Sequence, residues 1–185
     1  MPELLDTFDE NGNKTGTIIK GEKTTDYVKC CSCFVVNSKN QVLIEKRGKT
    51  VLDAGKLDLC SGHIRSNETS TQGMIRELIE ELGITQEEAM ELKKIGNLKV
   101  DFNKVGGNFK CITDMFMLKR TRDTLRLQDE EVKGIEYYDL EEALDLIRTG
   151  KTRLPYDETY ENIFRKLKQE LGIIPKEENK NIMEK

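Results

Sequence analysis

The stretch Gly62–Ile84, "GHIRSNETSTQGMIRELIEELGI", carries four glutamates, three of them crowded into the five residues from Glu77 to Glu81. Apolar spacing at Ile75, Leu78, Ile79 and Leu82 predicts a helix from Ser70 to about Leu82, and Gly83 supplies its stop. On that helix Glu77 stands three residues from Glu80 and four from Glu81, and each such like-charged pair costs about 0.2–0.5 kcal/mol. With Ile75, Leu78 and Leu82 turned to the core, the acids are expected on the adjoining side. A solvated face would mix charges of both signs, yet Arg76 is the only base between Ser70 and Leu82. Ahead of the helix, Gly62 permits tight turning and leaves a carbonyl accessible, and Glu68 adds a further acid. Carboxylates with a carbonyl are the hard oxygen ligands that suit Mg²⁺ or Mn²⁺, and a bound dication would offset the repulsion.

The rest of the chain limits what such a site can serve. Its 185 residues are enough for one sizeable core, so a single domain over residues 1–173 is expected, with residues 174–185 as a charged, fraying tail. Charged residues make up 35% and no run of about 18 apolar residues exists, so a soluble protein without a membrane span is expected. The N-terminal "MPELLDTFDENGNKTG" is acidic where a signal peptide would start basic and turn apolar. Five cysteines, an odd number, fit reduced thiols in a cytoplasm. Cys30 and Cys33 form a CxxC spacing, but in a strand-like run residues three apart face opposite ways, which argues against a thiol metal or redox pair. A net charge of −4 excludes broad binding to nucleic acid polymers.

Around the acidic helix the pattern alternates between short strands and turns. "LLDTFDENGNKTGTIIK" predicts an N-terminal hairpin over about residues 1–20, with Asn11-Gly12 at a tight turn. "CCSCFVVN" and "QVLIEKR" predict a second hairpin, and "KLDLCSGHI" a strand running into the acidic segment. "LKKIGNLKVDF" and "FKCITDMFMLKR" read as paired strands joined by "NKVGGN", and "VKGIEYYDL" as another. Helices are expected in "DLEEALDLIRTG" and "YDETYENIFRKLKQELG". Mixed strands with helices at separate places predict an α+β sandwich.

Gly62, Glu68, Arg76-Glu77-Leu78, Glu80-Glu81 and Gly83-Ile84 match GX5EX7REUXEEXGU, with U aliphatic, at all nine specified positions. The chain therefore resembles the Nudix (MutT-like) hydrolases, and its strand order resembles that family's α/β/α sandwich with a mixed central sheet. The resemblance implies metal-dependent hydrolysis of a phosphoanhydride in a nucleoside diphosphate linked to another group X, a small-molecule substrate. It implies Glu77, Glu80 and Glu81 as ligands of Mg²⁺ or Mn²⁺, joined by the Gly62 carbonyl, with Glu68 acting behind them or through water. Arg76 would orient the carboxylates. The general base is implied at Glu77 or on a later loop, where Glu131 is the candidate and Glu130 its rival. Arg47 and Lys56 are candidate phosphate contacts, and homodimers occur in the family. "FDENGNKTG" and "LIEKRGKTVLDAGKLDLCSGHI" resemble the branch related to isopentenyl-diphosphate isomerase, which makes that isomerase one alternative and a non-catalytic nucleotide-binding module another. The isomerase uses a cysteine at a "CGH" motif and several histidines; here Cys60 in "CSGH" is one residue out of place and His63 is the sole histidine.

Overall fold

The β-branched, cysteine-rich run predicted as a strand becomes β3 (Tyr27–Val36), the strand on which the sheet is organised. The protein is described here by a computed structural model covering residues 2–49, 54–105, 109–122, 124–128 and 130–176. On one side β3 pairs in parallel with β8 (Lys110–Lys119) from Tyr27↔Lys110 to Val36↔Lys119. Its other side passes from partner to partner. First comes β1 (Leu4–Phe8), then β6 (Cys60–His63), and last β4 (Val42–Arg47). β1 carries β2 (Lys14–Ile19), β8 carries β7 (Lys93–Asp101), and β4 carries β9 (Val132–Tyr138) together with the two-residue β5 (Leu57–Asp58). The sheet is mixed, as expected.

Alternation along β3 divides the core into two layers. Cys31, Cys33 and Val35 face α1 (Ser70–Leu82) and pack with Leu43, Met74, Leu78, Leu82 and Phe116. Phe34 and Val36 face the other way, toward α3 (Leu140–Arg148) and α4 (Thr159–Glu170), where Leu144, Ile147, Ile163 and Phe164 close the core. Phe34 and Phe164 meet edge to face at 5.1 Å. This is an α/β/α sandwich. Cys30 and Cys33 fall in different layers, and both are free thiols.

Several local expectations need correction. The N-terminal hairpin forms, but around a longer loop: Asp9 N–H donates to Asn13 O, the Asp9 carboxylate accepts from the Asn11 and Asn13 amides, and only Gly12 of the pair takes a positive φ, +85°. The β3–β4 hairpin shares a single register pair, Val36↔Val42; further along, β4 pairs with β5 at Glu45 and Lys46, while its other edge carries β9. "KLDLCSGHI" is two strands, changing partner at Leu59. A short helix α2 (Gln86–Ala89), begun by Thr85, follows α1 without having been expected. The tip Gly106–Asn108 and the tail residues 177–185 lie outside the described residues. Among those described, no helix is long and apolar enough to cross a membrane.

The acidic helix itself is turned differently from its apolar spacing. Thr69 caps it in a capping box with Gln72, and Gly83, at φ +62°, ends it. The buried face is Met74, Glu77, Leu78, Glu81 and Leu82, while Ile75 and Ile79 are only half-buried. Two of the acids thus belong to the inward face, which is the feature that builds the site.

Candidate active site

Rotation of α1 leaves Glu77 8% and Glu81 6% exposed, whereas the Glu80 side chain is 45% exposed at the rim. Glu77 fits because β6 has no side chain at Gly62: a Cβ there would overlap the Glu77 carboxylate. The Gly62→Ala variant is therefore expected to displace Glu77 by about 1 Å, a shift that can lower turnover about 100-fold. Steady-state kinetics beside a thermal melt checks it, and unchanged kcat would contradict it.

Arg76 ties four residues together. Its Nε and Nη2 grip the two Glu68 oxygens at 2.9 and 3.0 Å, Nη1 donates to Glu77 Oε1 at 2.6 Å and Glu80 Oε2 at 3.2 Å, and Nη2 also reaches His63 O at 3.0 Å. Partial burial pushes the Glu68 carboxyl up, but the Arg76 pair and the Arg65 amide outweigh it and hold it below the usual range. For Glu77 burial wins over Arg76, and the carboxyl is raised.

Deeper in, Glu81 makes no ion pair with any cation among the described residues. Burial, and then the Glu77 charge, push it up to about 8. It accepts from Cys60 Sγ at 3.2 Å and stands near Glu45, which burial and then Glu81 raise well above the carboxylate range. Asp58, fully buried, is matched differently: Arg47 Nη1 at 3.0 Å and Arg153 Nε at 2.9 Å both donate to its Oδ2.

Of these groups, Glu77, Glu81, Arg47 and Arg153 border a cavity of about 500 Å³. Glu77, Glu81 and Glu131 line it on the acidic side, with Lys20, Arg47 and Arg153 also on its wall. An aromatic row, His63–Phe109–Phe102, completes it, with ring centroids 5.6 and 4.6 Å apart. Burial, and then Lys20, lower the His63 pKa to about 4, so the ring is neutral there. The loop bearing Glu130 and Glu131 is fastened to the end of α1, since Arg126 and Gln128 amides donate to Leu82 and Glu81 carbonyls at 3.0 Å. Close approach requires Gly83, where a Cβ would lie 2.7 Å from Arg126 O.

Of the residues singled out from sequence, Gly62, Glu77, Glu81, Glu130, Glu131 and Arg47 meet at the cavity. Glu68 and Glu80 join through Arg76, and Lys56 is exposed and away from the cavity wall. Leu154 and Tyr160 also line it. Sequence reasoning missed Lys20, Glu45, Asp58 and Arg153. Only Glu45 left a signal: it shares strand parity with the apolar Leu43 and so points into the same layer.

The donor set fits a divalent cation. Glu77 and Glu81 are buried oxygen donors raised by desolvation, the condition a dication relieves, and the bare Cα of Gly62 leaves room beside them. An acidic helix capping such a cavity in an α/β/α sandwich defines a Nudix hydrolase, a class that generally uses divalent metals and acts on nucleoside diphosphate derivatives. Residues 27–156 match the NUDIX domain, and the chain belongs to that family. It is 28% identical to an isopentenyl-diphosphate delta-isomerase of Corynebacterium diphtheriae over 159 residues, 80% of this chain and 85% of that protein. Among solved structures, the Deinococcus radiodurans protein DR0079 superposes with a TM-score of 0.69 at 22% identity, over 88% of this chain and 98% of that one. The NUDIX domain of Shewanella oneidensis NrtR, crystallised with ADP ribose, gives 0.57 at 13% identity, over 80% of this chain and 90% of that domain.

Proposed function

We propose that this protein hydrolyses a phosphoanhydride bond in a nucleoside diphosphate linked to another group, using Mg²⁺ or Mn²⁺ held by Glu77, Glu81 and the Gly62 carbonyl, with Glu80 at the rim. The observation that carries this reading is the pair Glu77 and Glu81 projecting from one helix face into a cavity that also holds cationic side chains. A metal bound there supplies charge neutralisation on the phosphates and acidifies attacking water. Lys20, Arg47 and Arg153 draw the polyphosphate in, and Asp58 fixes the two arginines so that little ordering is left for binding. Arg76 holds Glu77 in place, and Glu77 or Glu131 takes the proton of the attacking water. The stacked pair Phe102 and Phe109, with His63 tilted beside it, offers aromatic surface for a base, an arrangement compatible with nucleotide ligands such as the ADP ribose of the Shewanella domain.

The isomerase reading has the Corynebacterium relative in its favour. Against it stands the alternation of β6: Ser61 faces the cavity where the isomerase motif would place its thiol, and Cys60 points to the α1 layer. The test is a panel of nucleoside triphosphates, nucleotide sugars, dinucleoside polyphosphates and dinucleotide cofactors with Mg²⁺ and Mn²⁺, run beside isopentenyl diphosphate. Metal-dependent release of phosphorylated products is expected; turnover of isopentenyl diphosphate alone would replace hydrolysis with isomerisation.

A further inference from the structure

Beneath the cavity floor, three side chains from three elements converge: Glu45 from β4, Cys60 from β6 and Glu81 from α1. Their donor atoms all lie within 4.8 Å of one another, and all three residues are buried. Bond lengths of about 2.0–2.3 Å place tetrahedral donors about 3.6 Å apart, so a small contraction would close the group on an ion. A second feature points the same way. Glu45 is 3% exposed, yet its Oε1 has no hydrogen-bond partner among the described residues. A buried carboxylate oxygen without a donor is costly, and a cation would satisfy it.

We infer that Glu45, Cys60 and Glu81 form a mixed carboxylate–thiolate site for a borderline transition-metal dication of the Zn²⁺ or Co²⁺ class. The inference rests on the proposed hydrolase site for Glu81 alone, which the two share. Sulfur makes the distinction: Mg²⁺ prefers oxygen and water, whereas thiolate favours Zn²⁺ and Co²⁺. Three protein ligands leave a fourth position, and because Glu81 also lines the cavity, that position opens toward substrate. On binding, the Cys60 S–H bond that now points at Glu81 breaks, its electron pair passes to the metal as a sulfur–metal bond, and the proton leaves to solvent. The simpler alternative is a carboxyl pair sharing a proton, with Cys60 as packing.

The full-length protein, stripped with EDTA and kept reduced, is titrated with Co²⁺ while thiolate-to-cobalt charge-transfer absorption is followed. Wild type is expected to develop the band to saturation at one Co²⁺ per chain, and excess Mg²⁺ to leave it. Cys60→Ser should lose it, Cys30→Ser should keep it, and Glu45→Gln should weaken Co²⁺ affinity about tenfold or more. Absence of the band in wild type, or its survival in Cys60→Ser, overturns the site. If the buried variants misfold, wild-type crystals soaked in Co²⁺ decide: an anomalous peak at bonding distance from Cys60 Sγ supports it, and binding elsewhere only overturns it. Mg²⁺-dependent hydrolysis without a band would reject this site and leave the proposed function standing; a band without hydrolysis would do the reverse.

Discussion

Replacing Glu81 by glutamine is expected to lower kcat about 10³-fold while making the metal-free protein more stable at neutral and alkaline pH. The loss follows from removing one of two buried carboxylates that would hold charge-neutralising metal at the cavity, where a single preorganised group is worth about 10²–10³ in rate. The gain follows from linkage. Burial, and then the Glu77 charge, hold the folded Glu81 carboxyl at about 8, well above the value of about 4.3 in an unfolded chain. Below both values each state keeps the proton and nothing changes. Between them the unfolded state ionises and the folded state does not, so stability falls with rising pH by about 1.4 kcal/mol per unit and levels off above about 8. Glutamine cannot titrate. In EDTA, the wild-type Tm should therefore decline from pH 5 to 8 relative to the Glu81→Gln protein, and melts of both across that range measure the difference. Mn²⁺ at about 100 times its Kd should restore wild type by about 2.7 kcal/mol and leave the variant nearly unmoved. Equal pH profiles, or wild-type kcat in the variant, would remove Glu81 from the site.

How much of this was legible beforehand depended on how far apart in sequence the participants lie. The acidic box is one contiguous strand-loop-helix segment, so spacing alone brings Glu68, Arg76, Glu77 and Glu80 within hydrogen-bonding reach of each other. The two core layers were legible too, because alternation along β3 assigns Cys31 and Phe34 to opposite faces. The orientation of α1 was not. Ile75 and Ile79 extended the apolar stripe, but the helix turns Glu77 and Glu81 inward, where Glu81 meets Cys60, 21 residues earlier in the chain. Lys20 and Arg153 reach the cavity from the N-terminal hairpin segment and from the loop before α4, and nothing local marks either. Asp58 lies within the predicted strand "KLDLCSGHI" and reads as an ordinary polar residue until Arg47 and Arg153 close on it.

Arg76→Ala is expected to be the most destabilising single change in the acidic segment, and its effect on turnover should follow from the same contacts. Removing the guanidinium leaves Glu68 and Glu77 partly or largely buried without their ion-pair partner, and stranding one partner of a buried pair costs about 3–5 kcal/mol. For a chain of this size that corresponds to a Tm lowered by about 6–20 °C. Because Glu68 is held below its ordinary value, its ion pair contributes stability above the unfolded pKa and loses it as pH falls through the folded value; the variant should lack this acid-side decline. Turnover should drop about 10–100-fold, the range for a group that orients metal ligands without holding the metal. Lysine should rescue little. One ammonium is a point charge and cannot reproduce a fork that grips both Glu68 oxygens while donating to Glu77, Glu80 and the His63 carbonyl. Thermal melts and kcat of the alanine and lysine variants at saturating Mg²⁺ separate the possibilities: full rescue by lysine would reduce Arg76 to a charge, and failure of both identifies its geometry as what sets the helix carboxylates in place.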